Sequence, residues 1–163
     1  MRIRDYNRGY SLVEVLAVLS LISVLLIIGT PAVVDQMTHT RLKRGARDVI
    51  TELNAGRLKA ITKNTKYRVE FTLYASTATP DEYTLSIWNI ASATWVDDSE
   101  RPRRELPANV DITSPGANFN VEFYPNGTST ATSICLQNTG EASDRMKLSI
   151  SGSTGQITIA SGC

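Results

Sequence analysis

The first chemistry the chain offers is an ion pair that a single peptide-bond cleavage would create. Glu14 opens an apolar run, Val15 to Val34, that holds no other charge, directly after Arg8-Gly9-Tyr10-Ser11-Leu12-Val13. A carboxylate inserted in lipid costs roughly 2.5–3.5 kcal/mol at the bilayer centre and less toward the interface, so this one needs a partner. A cut after Gly9 frees an α-amine on Tyr10, one helical turn from Glu14. The amine can meet Glu14 in its own chain or on a neighbouring copy, where low dielectric strengthens the attraction. The plainer alternative places Glu14 among the headgroups at little cost.

The remaining polar groups do not assemble into a catalytic set. His39, the only histidine, lies in Thr38-His39-Thr40 and reads as a surface or interface residue. No Ser or Cys stands in a nucleophile signature, and no glycine-rich phosphate loop precedes a helix. Asp97-Asp98 lacks the alternating oxygen ligands of a calcium loop and reads as solvated loop. Two cysteines and one histidine are too few for a metal site, so a non-enzymatic protein without metal or cofactor is expected. Cys135 and Cys163 read as one disulfide on the exported side, contributing roughly 3–4 kcal/mol and tying down the last residue; two free thiols are the alternative.

Positive charge gathers in one region. Arg41, Lys43, Arg44, Arg47, Arg57, Lys59 and Lys63, with Lys66 and Arg68, face only Asp48 and Glu52 nearby. Such a cluster is ordinarily a solvated helix face, here meeting acids such as Asp97, Asp98 and Glu100 on neighbouring subunits. The sharper reading is a grip on DNA phosphates, with Arg101, Arg103 and Arg104 as a second candidate patch.

These groups must be carried by an anchor and a head. With 163 residues, 42% hydrophobic and 20% charged, the chain fits one domain plus an anchor. The apolar run is near 20 residues, longer than a secretory h-region and long enough to cross a bilayer. Arg2, Arg4 and Arg8 hold the N-terminus in the cytoplasm and place the bulk of the chain outside. Losing Met1–Gly9 removes those arginines and Asp5 and leaves the chain near neutrality. Whole-chain charge therefore points to no polyanion.

One helical pattern runs from Leu12 to about Asn64, weakened at Gly29, Pro31 and Gly56. Beyond Asp35 it is amphipathic, with Leu42, Ala46, Val49, Leu53, Gly56 and Ala60 forming a packing stripe. The period then falls to two. Tyr67, Val69, Phe71 and Leu73 alternate with Arg68, Glu70 and Thr72, and Tyr83, Leu85 and Ile87 repeat the pattern. Later strands are expected at Asn118–Tyr124, Ala131–Gln137, Arg145–Ser151 and Gln156–Ala160, divided by Pro125-Asn126-Gly127, Asn138-Thr139-Gly140 and Ser153-Thr154-Gly155. Between Ile90 and Pro115 a variable loop with short strand pieces is expected. The fold class is α+β, a long N-terminal helix packed on a mostly antiparallel sheet.

Gly9-Tyr10-Ser11-Leu12-Val13-Glu14 followed by an apolar helix resembles the type III signal of type IV pilins and pseudopilins. Phe123-Tyr124-Pro125-Asn126-Gly127-Thr128, Ile134–Leu136 and the Ser151–Ile159 hairpin resemble H-type pseudopilins of type II secretion and FimT-type and FimU-type minor pilins. Ala55-Gly56-Arg57 and Ala60-Ile61 resemble the same group. That family usually carries Phe where this chain has Tyr10, which keeps an aromatic ring.

The resemblance implies a cleaved leader at 1–9, a transmembrane and assembly helix at 10–37 and a periplasmic head at 38–163. It implies cleavage after Gly9 by a prepilin peptidase, N-methylation of Tyr10, filament guidance by Glu14, and unwinding at Gly29 and Pro31 when subunits pack. A bland membrane-helix kink is the alternative at those two positions. The implied partners are other pilins or pseudopilins, the inner-membrane assembly platform and membrane lipid, with DNA for a competence pilus. The implied function is a minor subunit of a pilus or secretion filament, inserted in the bacterial inner membrane before assembly. The rivals are a DNA-binding minor pilin and a single-span anchored periplasmic ligand-binding protein.

Overall fold

The computed structural model describes residues 11–76 and 78–163, without the side chains of 25–38. The chain divides into two units, Met1–Met37 and Thr38–Cys163. In the first, helix α1 (Leu12–Lys63) begins after Ser11, whose carbonyl accepts the amides of Glu14 at 3.0 Å and Val15 at 3.2 Å. The hydroxyls of Ser20 and Ser23 donate back to the carbonyls of Ala17 and Leu19. Both polar groups are thus satisfied within the helix, as an apolar surrounding requires. The helix continues through Gly29 and Pro31.

In the second unit α1 buries the stripe its sequence encodes. Leu42, Ala46, Val49, Leu53 and Ala60 are buried, together with Gly45 and Gly56. Gly56 is buried because a Cβ there would meet Leu85 Cδ1 at 3.0 Å and Phe123 Cδ2 at 3.3 Å. The helix stops at Asn64, which takes φ 50°, while the Thr65 amide returns to the Ala60 carbonyl at 3.3 Å. That is a Schellman end with Asn in the left-handed position.

The strands are β1 (Tyr67–Thr72), β2 (Glu82–Asn89), β3 (Thr94–Asp97), β4 (Arg104–Glu105), β5 (Val110–Ser114), β6 (Phe119–Phe123), β7 (Thr132–Asn138), β8 (Glu141–Ile150) and β9 (Ile157–Ser161). They form two antiparallel sheets, where the sequence suggested one. The first runs β3-β2-β1-β6 with β4 also on β2, and the second runs β5-β7-β8-β9. The split falls at two consecutive amides: Ser129 donates to Gly152 beside the second sheet, and Thr130 donates to Glu122 in the first, each at 2.9 Å. Hydrophobic alternation identifies strands but not which strand pairs with which.

The stretch from Ile90 to Pro115 carries short strand pieces, as the sequence suggested, and part of it is core rather than variable loop. It contains β3, β4 and β5, and β5 buries Val110 and Ile112 against the core. Within that core Phe71 stacks on Phe119 at 4.6 Å, and Phe123, Ile134, Leu136 and Leu148 are fully covered. Cys135 on β7 and Cys163 after β9 form a disulfide with Cα atoms 6.0 Å apart.

Candidate functional site

Gly9 and Tyr10 lie outside the described residues. Glu14 sits in the first turn of α1, where the helix dipole favours an anion, and its side chain is exposed. Around it the large apolar side chains from Leu12 to Val24 are also uncovered, from 46% exposed at Ile22 to 76% at Leu12. A helix segment that is apolar all round is built to be surrounded, by lipid or by other helices. Among the described residues no helix is long and apolar enough to cross a membrane. Gly29 and Pro31 lie within α1, in the stretch for which only the backbone is described.

The basic candidates separate into two groups. Arg41, Lys43 and Arg47 are exposed and make no ion pair among the described residues, and Arg44 lies 3.8 Å from Asp48 on the exposed helix surface. Lys63 is exposed at the helix end, while half-buried Arg57 has its Nε without a hydrogen-bond partner among the described residues. The others are held by acids of their own chain. Lys59 Nζ donates to Asp98 Oδ2 at 2.5 Å and Glu100 Oε2 at 2.7 Å. Arg101 donates to Glu52 at 2.9 Å with Arg104 3.8 Å from the same oxygen, and Arg103 reaches Glu82 at 3.2 Å.

This pairing corrects two expectations. Asp98 and Glu100 do not stand free for neighbouring subunits, because Lys59 engages both. Nor is Asp98 solvated loop: it is buried, and its other oxygen accepts the Glu100 amide at 3.0 Å. Asp97 accepts from the Ser86 hydroxyl at 3.2 Å. The second patch considered for DNA, Arg101, Arg103 and Arg104, is likewise occupied by carboxylates.

Electrostatics in this segment follow from the pairing. Burial works to lower the Lys59 pKa, but hydrogen bonds to Asp98 and Glu100 outweigh it and hold the amine above its ordinary 10.5. The same bond from Lys59 holds Glu100 below its ordinary 4.5. Glu52 was read from sequence only as one of two acids beside the basic cluster, although its place three residues after Val49 puts it on the packing side of α1. His39 Nδ1 lies 2.8 Å from Asp144 Oδ1, an intrachain contact from α1 to β8.

Residues 4–30 match the family described as the prokaryotic N-terminal methylation motif. The crystal structure of the type IV minor pilin FimU of Pseudomonas aeruginosa superposes with a TM-score of 0.56 and 19% identity, over 74% of this chain and 89% of that one. The minor pseudopilin EpsH from the type II secretion system of Vibrio cholerae superposes with a TM-score of 0.55 and 13% identity, over 76% and 96%. This chain has a pilin-like fold. No curated protein sequence matches it. The pilin-like architecture and the methylation motif thus occur in the same chain, one in the head and helix, the other at the N-terminal end.

Proposed function

We propose that the chain is a minor pilin or pseudopilin subunit, inserted in the bacterial inner membrane, cleaved after Gly9 by a prepilin peptidase and assembled through α1. The observation that carries this reading is the methylation motif over residues 4–30, which takes in the start of α1, where the large apolar side chains from Leu12 to Val24 are uncovered. The head contributes selection of neighbours, and the apolar helix contributes close packing against other helices as it leaves lipid. The segments are then leader 1–9, membrane and assembly helix 10–37, and exported head 38–163. The new amine of Tyr10 and the Glu14 carboxylate supply axial register, since an incoming charged end is favoured where an unpaired acid already sits in low dielectric. The helix passing Gly29 and Pro31 is the segment proposed to unwind on packing, because proline lacks the amide that would hold it. No step in this role is catalytic.

Mass spectrometry of the protein from its native membrane tests the reading. A chain beginning at Tyr10 and heavier by one methyl group is expected. An intact leader in cells that possess the peptidase would point instead to a plain anchored ligand-binding protein. The DNA-binding alternative has lost support at Lys59, Arg101, Arg103 and Arg104, whose charges are engaged within the chain.

A further inference from the structure

We propose that Arg41, Lys43, Arg44 and Arg47 bind the headgroups of anionic phospholipids on the exported face of the membrane. This rests on the membrane-insertion reading above. The four cations fall within two turns of α1, Arg44 and Arg47 on the side opposite buried Leu42, Gly45, Ala46 and Val49, with Arg41 and Lys43 on the two flanks. All four are exposed. Among the described residues only Arg44 has an acid near it, at 3.8 Å and with 79% of its side chain exposed, a weak pairing. Their density within one short stretch is what distinguishes them. Lys59, Arg68, Arg101 and Arg103 each meet a carboxylate of the chain, and the other exposed cations without one among the described residues, Lys63, Lys66 and Lys147 included, are spread along the chain, so the densest unspent positive charge lies at the start of the head.

Sequence position supplies the partner. The apolar run ends at Val34, and Arg41 follows by roughly two helical turns, within reach of a headgroup layer by long side chains that extend along apolar stems. Cations on the exported flank also oppose the orientation that Arg2, Arg4 and Arg8 impose, because basic residues near a span favour the cytoplasmic side. A cluster kept against that preference requires a compensating gain. Contact with anionic headgroups provides one, at about fivefold in binding per basic residue near the surface. Phosphate is common to lipid and DNA, but the cluster's place beside the apolar run favours lipid.

The test uses the full chain reconstituted into vesicles of phosphatidylcholine alone, or of phosphatidylcholine mixed with phosphatidylglycerol. Acylation of the Lys43 amine is followed against that of Lys63, which is exposed and lies about 30 Å further along the same helix. In the anionic vesicles Lys43 is expected to react about fivefold more slowly relative to Lys63 than in the neutral ones. Salt at about 1 M, where screening acts within roughly 3 Å, should abolish the difference. A triple variant, Arg41→Gln with Arg44→Gln and Arg47→Gln, should weaken the protection. Equal Lys43 to Lys63 ratios in both vesicle types, with the chain still floating with them, would overturn the lipid proposal alone. A chain that floats with neither vesicle would overturn the insertion reading and this proposal with it. Duplex DNA that protects Lys43 in neutral vesicles as strongly as phosphatidylglycerol does would overturn the assignment to lipid in favour of DNA.

Discussion

Glu52 Oε2 accepts a hydrogen bond from Arg101 Nη1 at 2.9 Å from a buried position on the packing side of α1. Roughly two helical turns later Lys59 takes Asp98 and Glu100. The segment Asp98–Arg104 is therefore pinned to the helix at two points, by pairs of opposite polarity. At the first the helix supplies the acid, and at the second it supplies the cation. That reciprocity fixes the segment's direction along the helix, because reversing it would oppose like charges.

The Glu52 pair should be asymmetric to mutation. Arg101→Ala leaves a buried carboxylate with only Arg104, 3.8 Å away, and is expected to destabilise the protein by about 3 kcal/mol. Glu52→Leu removes the buried charge, fills the space with apolar volume and leaves two arginines able to reach water. It should fall within about 1 kcal/mol of the parent. Urea unfolding midpoints of the two variants decide, and equal losses would show that the buried charge is not the source of the cost.

The Lys59 anchor should weaken at both ends of the pH scale. Because the folded pKa of Lys59 is raised, its contribution is fully present below 10.5 and is lost as pH rises through the raised value. Because that of Glu100 is lowered, its contribution is present above 4.5 and is lost as pH falls through the depressed value. The stability difference between the parent and Lys59→Met should thus be flat between about pH 5 and about pH 9 and shrink outside that window. A difference that instead changes steadily across neutrality would assign the titration to another group.

The disulfide closes a loop across a sequence separation of 28 residues, and in the chain-entropy treatment that is worth about 3.5 kcal/mol. Cys163→Ser and the reduced parent should lose similar stability, since both release the same loop from the unfolded chain. Beyond that loss, β9 pairs only with β8 among the described residues, so its amides should exchange faster once Cys163 is free. Unchanged exchange in β9 would mean that its ladder alone holds the strand.

What could be read from sequence was what depends on local period. The stripe from Leu42 to Ala60 is buried residue for residue, β1 alternates as its pattern required, and Asn64 ends the helix. The single-sheet expectation failed because β5 pairs with β7 and β6 with β1, and pairing is settled by packing between distant segments. The candidate cations were visible as residue types, yet their state was not. Lys59 and Lys63 look alike in sequence, and only the return of Asp98 and Glu100 from another element separates them. Glu52 illustrates the converse, an acid on a packing stripe that becomes intelligible once Arg101 and Arg104 are known to lie over it.

Gly155 offers the sharpest backbone test. It takes φ +61° in the turn between β8 and β9, and a Cβ there would stand 2.5 Å from the Gly127 carbonyl oxygen and 3.0 Å from Arg57 Nε. The Arg57 side chain can shift, but the carbonyl belongs to a turn fixed by the Gly127 amide bonded to the Tyr124 carbonyl at 2.9 Å. Both the left-handed conformation and the close approach therefore exclude a side chain. Gly155→Ala is expected to destabilise by about 2 kcal/mol or more, whereas Gly116→Ala, which meets nothing within 4 Å, should stay within about 0.5 kcal/mol. Comparable unfolding midpoints for the two variants would mean that the turns over Arg57 separate readily, and that their contact does not hold the two sheets together.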